Sequence, residues 1–322
     1  MKKVFITRKI PGPGIQKLKD AGYEVKIGSE TKMLTAQELI KKSQQADAVI
    51  TLLTDRIDKK TIQALGANIK IIANYAVGYD NIDLQAAQER KMIVTNTPDV
   101  LSGAVAEYTI ALTLAITKRI GEADDFMRAG RYKGWEPELF LGIELRNKVF
   151  GLVGHGRIGC QVAEKMKQAF GMEIIYFDVF RDQKREEQCG IAYAELPELL
   201  ERTDVVSLHV PLLDSTHHLI GEKELRSMKQ TSYVINTSRG PIIDEKALVK
   251  ALGERWIAGA ALDVFEHEPK LEPGLKKLSN VIITPHIASA TKEAREKMSE
   301  MVAENVIAAL SCREAPNLVR SA

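Results

Sequence analysis

Cysteine is scarce: Cys160, Cys189 and Cys312 are the only three in 322 residues, widely spaced and odd in number. That pattern excludes a disulfide framework and a cysteine zinc site, and it suits a reducing compartment. Long apolar runs are missing too. The nearest candidate, "YTIALTLAI" (108–116), is half of the roughly 18 residues that a membrane span needs. "MKKVFITRKIPGPG" has only a short apolar run before Pro11, which does not fit a secretory leader. Charge of one sign is not in excess, because the formal net charge is +2 and no Lys or Arg run is long enough to track a phosphate backbone. A cytoplasmic protein is expected, with no nucleic-acid partner and no membrane partner.

Metal-ligand spacing is also lacking. His155, His209, His217, His218, His267 and His286 include no H-x-x-x-H pair and no HExxH. His217 and His218 are adjacent, so their side chains are expected to point in different directions. No metal site is expected.

What is present is strand–helix alternation. Apolar residues make up 45% and charged residues 27%, a soluble globular balance in a chain long enough for two domains. "KVFIT" (3–7), "EVKI" (24–27), "AVIT" (48–51), "IKIIANY" (69–75) and "MIVTN" (92–96) read as buried strands with helical segments between them. A second series begins near Lys148: "KVFGLVG", "EIIYFD", "VVSLHV", "SYVINTS", "AGAALDVF" and "VIITPH". The fold class is therefore α/β, with two Rossmann-like or flavodoxin-like domains built on parallel sheets flanked by helices. One long helical pattern, roughly 101–130, lies between the series and starts after Pro98 and Asp99. A last amphipathic helix, 292–311, is placed to return to the first domain. The expected division is 1–98 plus 291–322 for one domain and 99–290 for the other, with an interdomain cleft.

The second series carries the chemistry. "FGLVGHGRIG" places Gly154-x-Gly156-x-x-Gly159 between an apolar strand and a helix. The first two glycines permit a tight turn and the close approach of a pyrophosphate, the third lets helix and strand pack, and the helix N-terminus faces the phosphates. Nineteen residues past Gly159, "IIYFD" ends at Asp178, where a carboxylate can accept from both adenosine ribose hydroxyls and repel a 2′-phosphate. NAD is expected, with NADP kept open because Arg181 can hold a phosphate. Cys160 opens the following helix, where a thiolate is favoured, although a small packing residue is the simpler reading.

Arg239, just after "VINTS", suits a substrate carboxylate, whereas taken alone it is a surface arginine. "ALDVFEHEP" offers Asp263, Glu266, His267 and Glu268, and spacing does not choose among them. In "TPHIASAT", His286 is open to three readings: metal ligand, core residue or proton donor.

Taken in order, "NYAVGYDNIDL", "TNTPDVLSGAVAE", "GLVGHGRIG", "HVPLLDSTHHLI", "INTSRGPIID", "ALDVFEHEP" and "TPHIASAT" resemble the D-isomer-specific 2-hydroxyacid dehydrogenases over essentially the whole chain. "NYAVGYDNID" with "NTPDVL" is most similar to the glyoxylate and hydroxypyruvate reductase branch. The resemblance implies an enzyme with the catalytic set Arg239, Glu268 and His286. In it His286 donates the proton to the 2-oxo carbonyl, Glu268 holds the ring and favours its protonated form, and Arg239 binds the substrate carboxylate. It implies that the first domain binds substrate through the Val77 and Gly78 N–H groups, and that the second binds cofactor. Besides the glycines and Asp178, cofactor contacts fall on Val77, Arg157, Ile158, Val210, Thr237, Ser238, Arg239, Asp263, His286 and Ser289.

Phosphoglycerate dehydrogenases of similar length carry phosphate-binding arginines where this chain has Leu52 and Asn74, and no regulatory serine-binding domain is expected after Ala322. A small unphosphorylated oxo acid is expected. Should a phosphate be accepted, Arg56 and Arg131 are the candidate cations. Family members are usually homodimers joined by the helix after "NTPDV", with the arm around Trp135 reaching the partner. Two further enzymatic assignments are D-lactate and D-3-phosphoglycerate dehydrogenase. An assignment of another class is an NAD-sensing corepressor, distinguished by whether hydroxypyruvate and NADH turn over rapidly.

Overall fold

Runs rich in Val and Ile, too short for helices, become strands in both halves of the chain. The computed structural model describes residues 1–320. It divides into two units, 1–101 with 289 onward, and 102–288.

In the first unit β1 (Lys3–Ile6), β2 (Glu24–Ile27), β3 (Ala48–Leu52), β4 (Ile71–Tyr75) and β5 (Ile93–Thr95) form a parallel sheet in the order β2-β1-β3-β4-β5. β4 is buried along its whole length, as a parallel strand covered on both faces must be. The helix Lys292–Leu310 starts at Thr291, whose hydroxyl accepts the Ala294 N–H. Its Ser299 accepts the Gly14 N–H at 3.1 Å and donates to the Pro11 carbonyl at 2.6 Å, which docks the helix Gly12–Asp20. The edge of β5 is covered by the C-terminal segment, where Val319 N–H donates to the Val94 carbonyl at 2.9 Å.

In the second unit β6 (Val149–Val153), β7 (Glu173–Phe177), β8 (Ala192–Tyr193), β9 (Val205–Leu208), β10 (Tyr233–Asn236), β11 (Gly259–Leu262) and β12 (Val281–Ile283) form a seven-stranded sheet, order β12-β11-β10-β9-β6-β7-β8. Every pairing is parallel. Alternation sends Val153, Val234 and Leu262 into one apolar layer and Leu152, Ile235 and Ala261 into the other. The chain runs outward from β6 to β8, then returns to β9 on the other side and proceeds to β12. Loops leave the β6 and β9 ends in opposite directions, which opens a crevice at the carboxyl edge of the sheet.

One expectation is corrected. The pattern over 101–130 is not one helix but two, Ser102–Thr117 and Ile120–Arg128. Arg119 breaks it with φ of 56°, and the freed Thr117 carbonyl accepts the Ile143 N–H at 3.1 Å. The first of the two begins at Ser102, and Asp99 sits at φ 67° in the preceding turn.

Candidate active site

The crevice is lined first by the turn after β6. Gly154 lies at φ 98°, and a Cβ there would meet the His209 backbone carbon at 2.8 Å. A Cβ on Gly159 would come 2.4 Å from the Gly154 carbonyl oxygen, whereas one on Gly156 would meet nothing within 4 Å. Gly154 thus lets the turn approach the chain after β9, Gly159 lets the helix pack on the turn, and Gly156 between them borders open space. Gly156 caps the helix Arg157–Phe170 without a side chain to occupy its first-turn N–H groups. This is a cradle with the shape and polarity for a pyrophosphate.

Asp178 stands at the end of β7. Its carboxylate accepts the His155 N–H at 2.8 Å and the Phe180 N–H at 3.3 Å. Beside it opens a cavity of about 490 Å³ that His155, Phe180, Arg181, Asp182 and Arg185 also line. Burial, with the charge of Arg185, pushes the His155 imidazole below its ordinary value. Cys160 is partly buried, with its thiol donating to the His155 carbonyl at 3.3 Å and accepting from Arg185 at 2.9 Å. Burial pushes that thiol up, so a thiolate is not favoured there.

Arg239, Glu268 and His286 follow β10, β11 and β12, three neighbouring strands whose carboxyl ends lie side by side. His286 Nδ1 donates to Glu268 Oε2 at 2.9 Å and lies 3.1 Å from Oε1. The Phe265 N–H donates to Glu268 at 3.1 Å. Burial pushes the Glu268 carboxyl up, but the His286 hydrogen bond and charge outweigh it, aided by Arg239, and hold the group below its ordinary value. Arg239 is half-buried, its Nη1 donating to the Ser238 carbonyl at 2.8 Å. Asn236 pins this turn by donating to the Arg239 carbonyl at 2.9 Å and accepting the Ser238 N–H at 3.0 Å. Thr237 and Thr109 hydroxyls lie 2.9 Å apart, and Ser238 donates to the Val210 carbonyl.

Asp263 is engaged by the neighbouring turn after β12. Its carboxylate is fully buried and accepts from Thr284 Oγ1 at 2.7 Å, Ile287 N–H at 2.9 Å and Ala288 N–H at 2.7 Å. It therefore clamps the turn that holds His286 at φ 55°.

In the first unit, Val77 and Gly78 follow β4. Their carbonyls accept from Asn96 at 2.8 Å and Asn74 at 2.9 Å. Asn74 is not a substitute for a ligand-facing arginine, because it is fully buried and also accepts from Thr51 at 3.0 Å. Arg56 is paired with Asp58 at 3.3 Å, and Arg131 lies over the Phe126 ring at 4.9 Å. Arg8 lies just after β1, and its guanidinium donates to Thr54 at 3.0 Å just beyond the β3 end.

The two adjacent histidines do not diverge. His218 has φ 51°, and its ring lies 4.1 Å from that of His217 with a 31° tilt. With Glu266 they bring three metal-capable side chains together among the described residues, and His218 Nε2 already shares a 3.0 Å hydrogen bond with that carboxylate.

Parallel strand ends that carry a glycine-rich cradle, a terminal aspartate and an Arg/Glu/His group define a nucleotide-dependent oxidoreductase site. The family model for the D-isomer specific 2-hydroxyacid dehydrogenase NAD binding domain matches residues 110–288. The chain is 50% identical to the glyoxylate reductase of Thermococcus litoralis over 98% of this chain and 96% of that one. It is 46% identical to the glyoxylate reductase of Korarchaeum cryptofilum, covering 98% and 95%. It is also similar to the solved NADPH-dependent glyoxylate/hydroxypyruvate reductase of Sinorhizobium meliloti, bound to NADP and malonate, with TM-score 0.87 and 31% identity over 100% and 99%. The chain belongs to the D-isomer specific 2-hydroxyacid dehydrogenases, and it is an NAD(P)-dependent oxidoreductase of 2-oxo and 2-hydroxy acids. No helix among the described residues is long and apolar enough to cross a membrane.

Proposed function

We propose that this chain reduces glyoxylate or hydroxypyruvate to the D-2-hydroxy acid and prefers NADH. The observation that carries the reading is the His286–Glu268 pair beside Arg239 at three adjacent strand ends. The relatives named as glyoxylate reductases support the substrate class.

When bound, the reduced nicotinamide supplies the hydride. Gly154, Gly156, Gly159 and the N–H groups of Arg157 and Ile158 are assigned to the pyrophosphate, and Asp178 to the adenosine ribose. Val77, Val210, Thr237, Ser238, Arg239, His286 and Ser289 keep their assignment as further cofactor contacts. We assign Asp263 instead to positioning His286, since its carboxylate is buried and engaged by three donors.

Arg239 orients the substrate carboxylate and polarises the carbonyl, and Val77 and Gly78 keep their assignment as substrate-binding residues. Hydride addition builds negative charge on the carbonyl oxygen. His286 delivers a proton there from Nε2, because Nδ1 is committed to Glu268. In the oxidative direction the same nitrogen takes the proton back.

Initial rates with glyoxylate, hydroxypyruvate, pyruvate and 3-phosphohydroxypyruvate, each with NADH and NADPH, test the reading. Absence of turnover with every acid would sink it. We also propose a cytoplasmic homodimer, supported by the exposed apolar side chains Met127, Trp135 and Leu141. A monomer in sedimentation at micromolar concentration would count against the dimer.

A further inference from the structure

Arg181 lines the same cavity as Asp178, so a guanidinium that can bind a phosphate lies close to the carboxylate assigned to the ribose. It is not available in the conformation shown. Its Nε donates to Glu186 Oε1 at 2.8 Å and its Nη2 to Oε2 at 2.9 Å, a two-pronged pair, while its guanidinium carbon sits 5.3 Å from the centre of the Tyr193 ring. Glu186 is itself fixed. The Tyr176 hydroxyl donates to Oε1 at 3.0 Å, and that hydroxyl accepts the Asp182 N–H at 2.9 Å. Tyr176 is fully buried, so this side of the pair is anchored in the core. The Glu186 side chain is well covered, at 14% exposure, against 52% for Arg181. The acid is the fixed member and the arginine is the movable one.

The second arginine of the cavity is engaged elsewhere. Arg185 lies 3.3 Å from Asp182, and its Nη1 donates to Cys160 Sγ at 2.9 Å and approaches the His155 carbonyl at 3.4 Å.

We propose that Glu186 is a specificity-determining residue for the coenzyme, withholding Arg181 from a 2′-phosphate and so reinforcing Asp178 in favour of NADH. This deepens the functional reading above and rests on its nucleotide assignment. Charge supplies the reason. Asp178, Arg181 and Glu186 together carry −1, and a phosphate brought beside them meets net repulsion. Replacing Glu186 by Gln keeps an acceptor for the Tyr176 hydroxyl but removes one negative charge and one prong of the pair. Arg181, on a long and half-exposed side chain, can then turn to the phosphate.

The test is direct binding of NADH and NADPH by quenching of protein fluorescence, which needs no turnover. The variants are Glu186→Gln, Asp178→Ser, the double substitution, and Glu186→Gln with Arg181→Leu. The ratio Kd(NADPH)/Kd(NADH) is expected to fall roughly tenfold in Glu186→Gln, the scale of one charge acting across several ångströms near a protein surface. It should fall further in the double variant and return toward wild type when Arg181 is also replaced. A steeper loss of NADPH affinity with added salt in Glu186→Gln would support the same conclusion. A ratio within twofold of wild type overturns the proposal, as does a gain that survives Arg181→Leu, since the arginine would then play no part. Failure to bind either coenzyme, in wild type and variants alike, is a different result and would remove the nucleotide reading itself.

Discussion

His286 Nδ1 lies 2.9 Å from Glu268 Oε2, and the Phe265 N–H holds the same carboxylate from the other side at 3.1 Å. In the proposed mechanism the pair leaves Nε2 as the nitrogen that exchanges a proton with substrate. His286→Ala is therefore expected to lower kcat by on the order of 10²–10⁴-fold, the range for a lost general acid. Glu268→Gln keeps the size but removes the charge opposite the ring, and should lower kcat less while moving its pH profile. Steady-state kinetics over pH 5 to 9 measures both. Activity of His286→Ala within threefold of wild type would remove the histidine from the mechanism.

Asp263 supports that histidine from below, through Thr284, Ile287 and Ala288. In Asp263→Asn, one amide N–H must face a backbone N–H, leaving a buried donor unmatched at about 1–3 kcal/mol. We expect kcat to fall at least tenfold at temperatures well below the melting transition, where the variant is fully folded. A lowered Tm with kcat unchanged would mean that Asp263 is structural only.

Much of this was legible in the residues. Strands such as β4 and β10 announce themselves because a parallel strand covered on both faces is largely apolar, and "IIANY" and "YVIN" are so but for Asn74 and Asn236. The two-residue β8 was not, since Ala192 and Tyr193 carry no pattern that distinguishes a short edge strand from a loop. Arg119 is invisible for another reason: an arginine has no preference for a left-handed backbone, and the break shows only beside the tertiary bond between Thr117 and Ile143. The same holds at the site. The motif around Asp263 marks it as important, but only packing reveals that its carboxylate points inward. For Asn74 the sequence position suggested a pocket wall, and burial made it a clamp for the Gly78 carbonyl.

His209 gives a pH prediction. Burial pushes its imidazole from the usual 6.5 down to about 3, with the charge of His155 acting in the same direction, and Ser207 Oγ lies 2.9 Å from Nε2. A depressed folded value means that the native state binds fewer protons than the unfolded chain. The associated stability is present above about pH 6.5 and is lost as pH falls toward 3, by up to about 1.4 kcal/mol per pH unit. In urea titrations from pH 7 to pH 4, His209→Gln should show a shallower loss of stability than wild type. Parallel slopes would show that the ring is solvated enough to charge in place.

If the first unit binds substrate as proposed, its sheet edge bears on substrate choice. The carboxyl edge of the first sheet presents Leu52, the buried Asn74 clamp and Arg8, whose guanidinium donates to Thr54 at 3.0 Å. Arg8 also lies close enough to Asp55 for its charge to act on that carboxyl, although burial still raises it overall. A phosphate dianion brought here would be desolvated against an apolar Leu52 and would compete with Thr54 for a single, half-buried arginine, which is costly. A hydroxymethyl group or a hydrogen meets no such penalty. We therefore expect kcat/KM to be highest for glyoxylate and hydroxypyruvate, lower for pyruvate and lowest for 3-phosphohydroxypyruvate, measured at one pH with NADH. Arg8→Ala should leave the order of the first two unchanged. If the phosphorylated acid instead ranks first and Arg8→Ala abolishes that preference, Arg8 is a phosphate ligand and the assignment to small unphosphorylated acids fails.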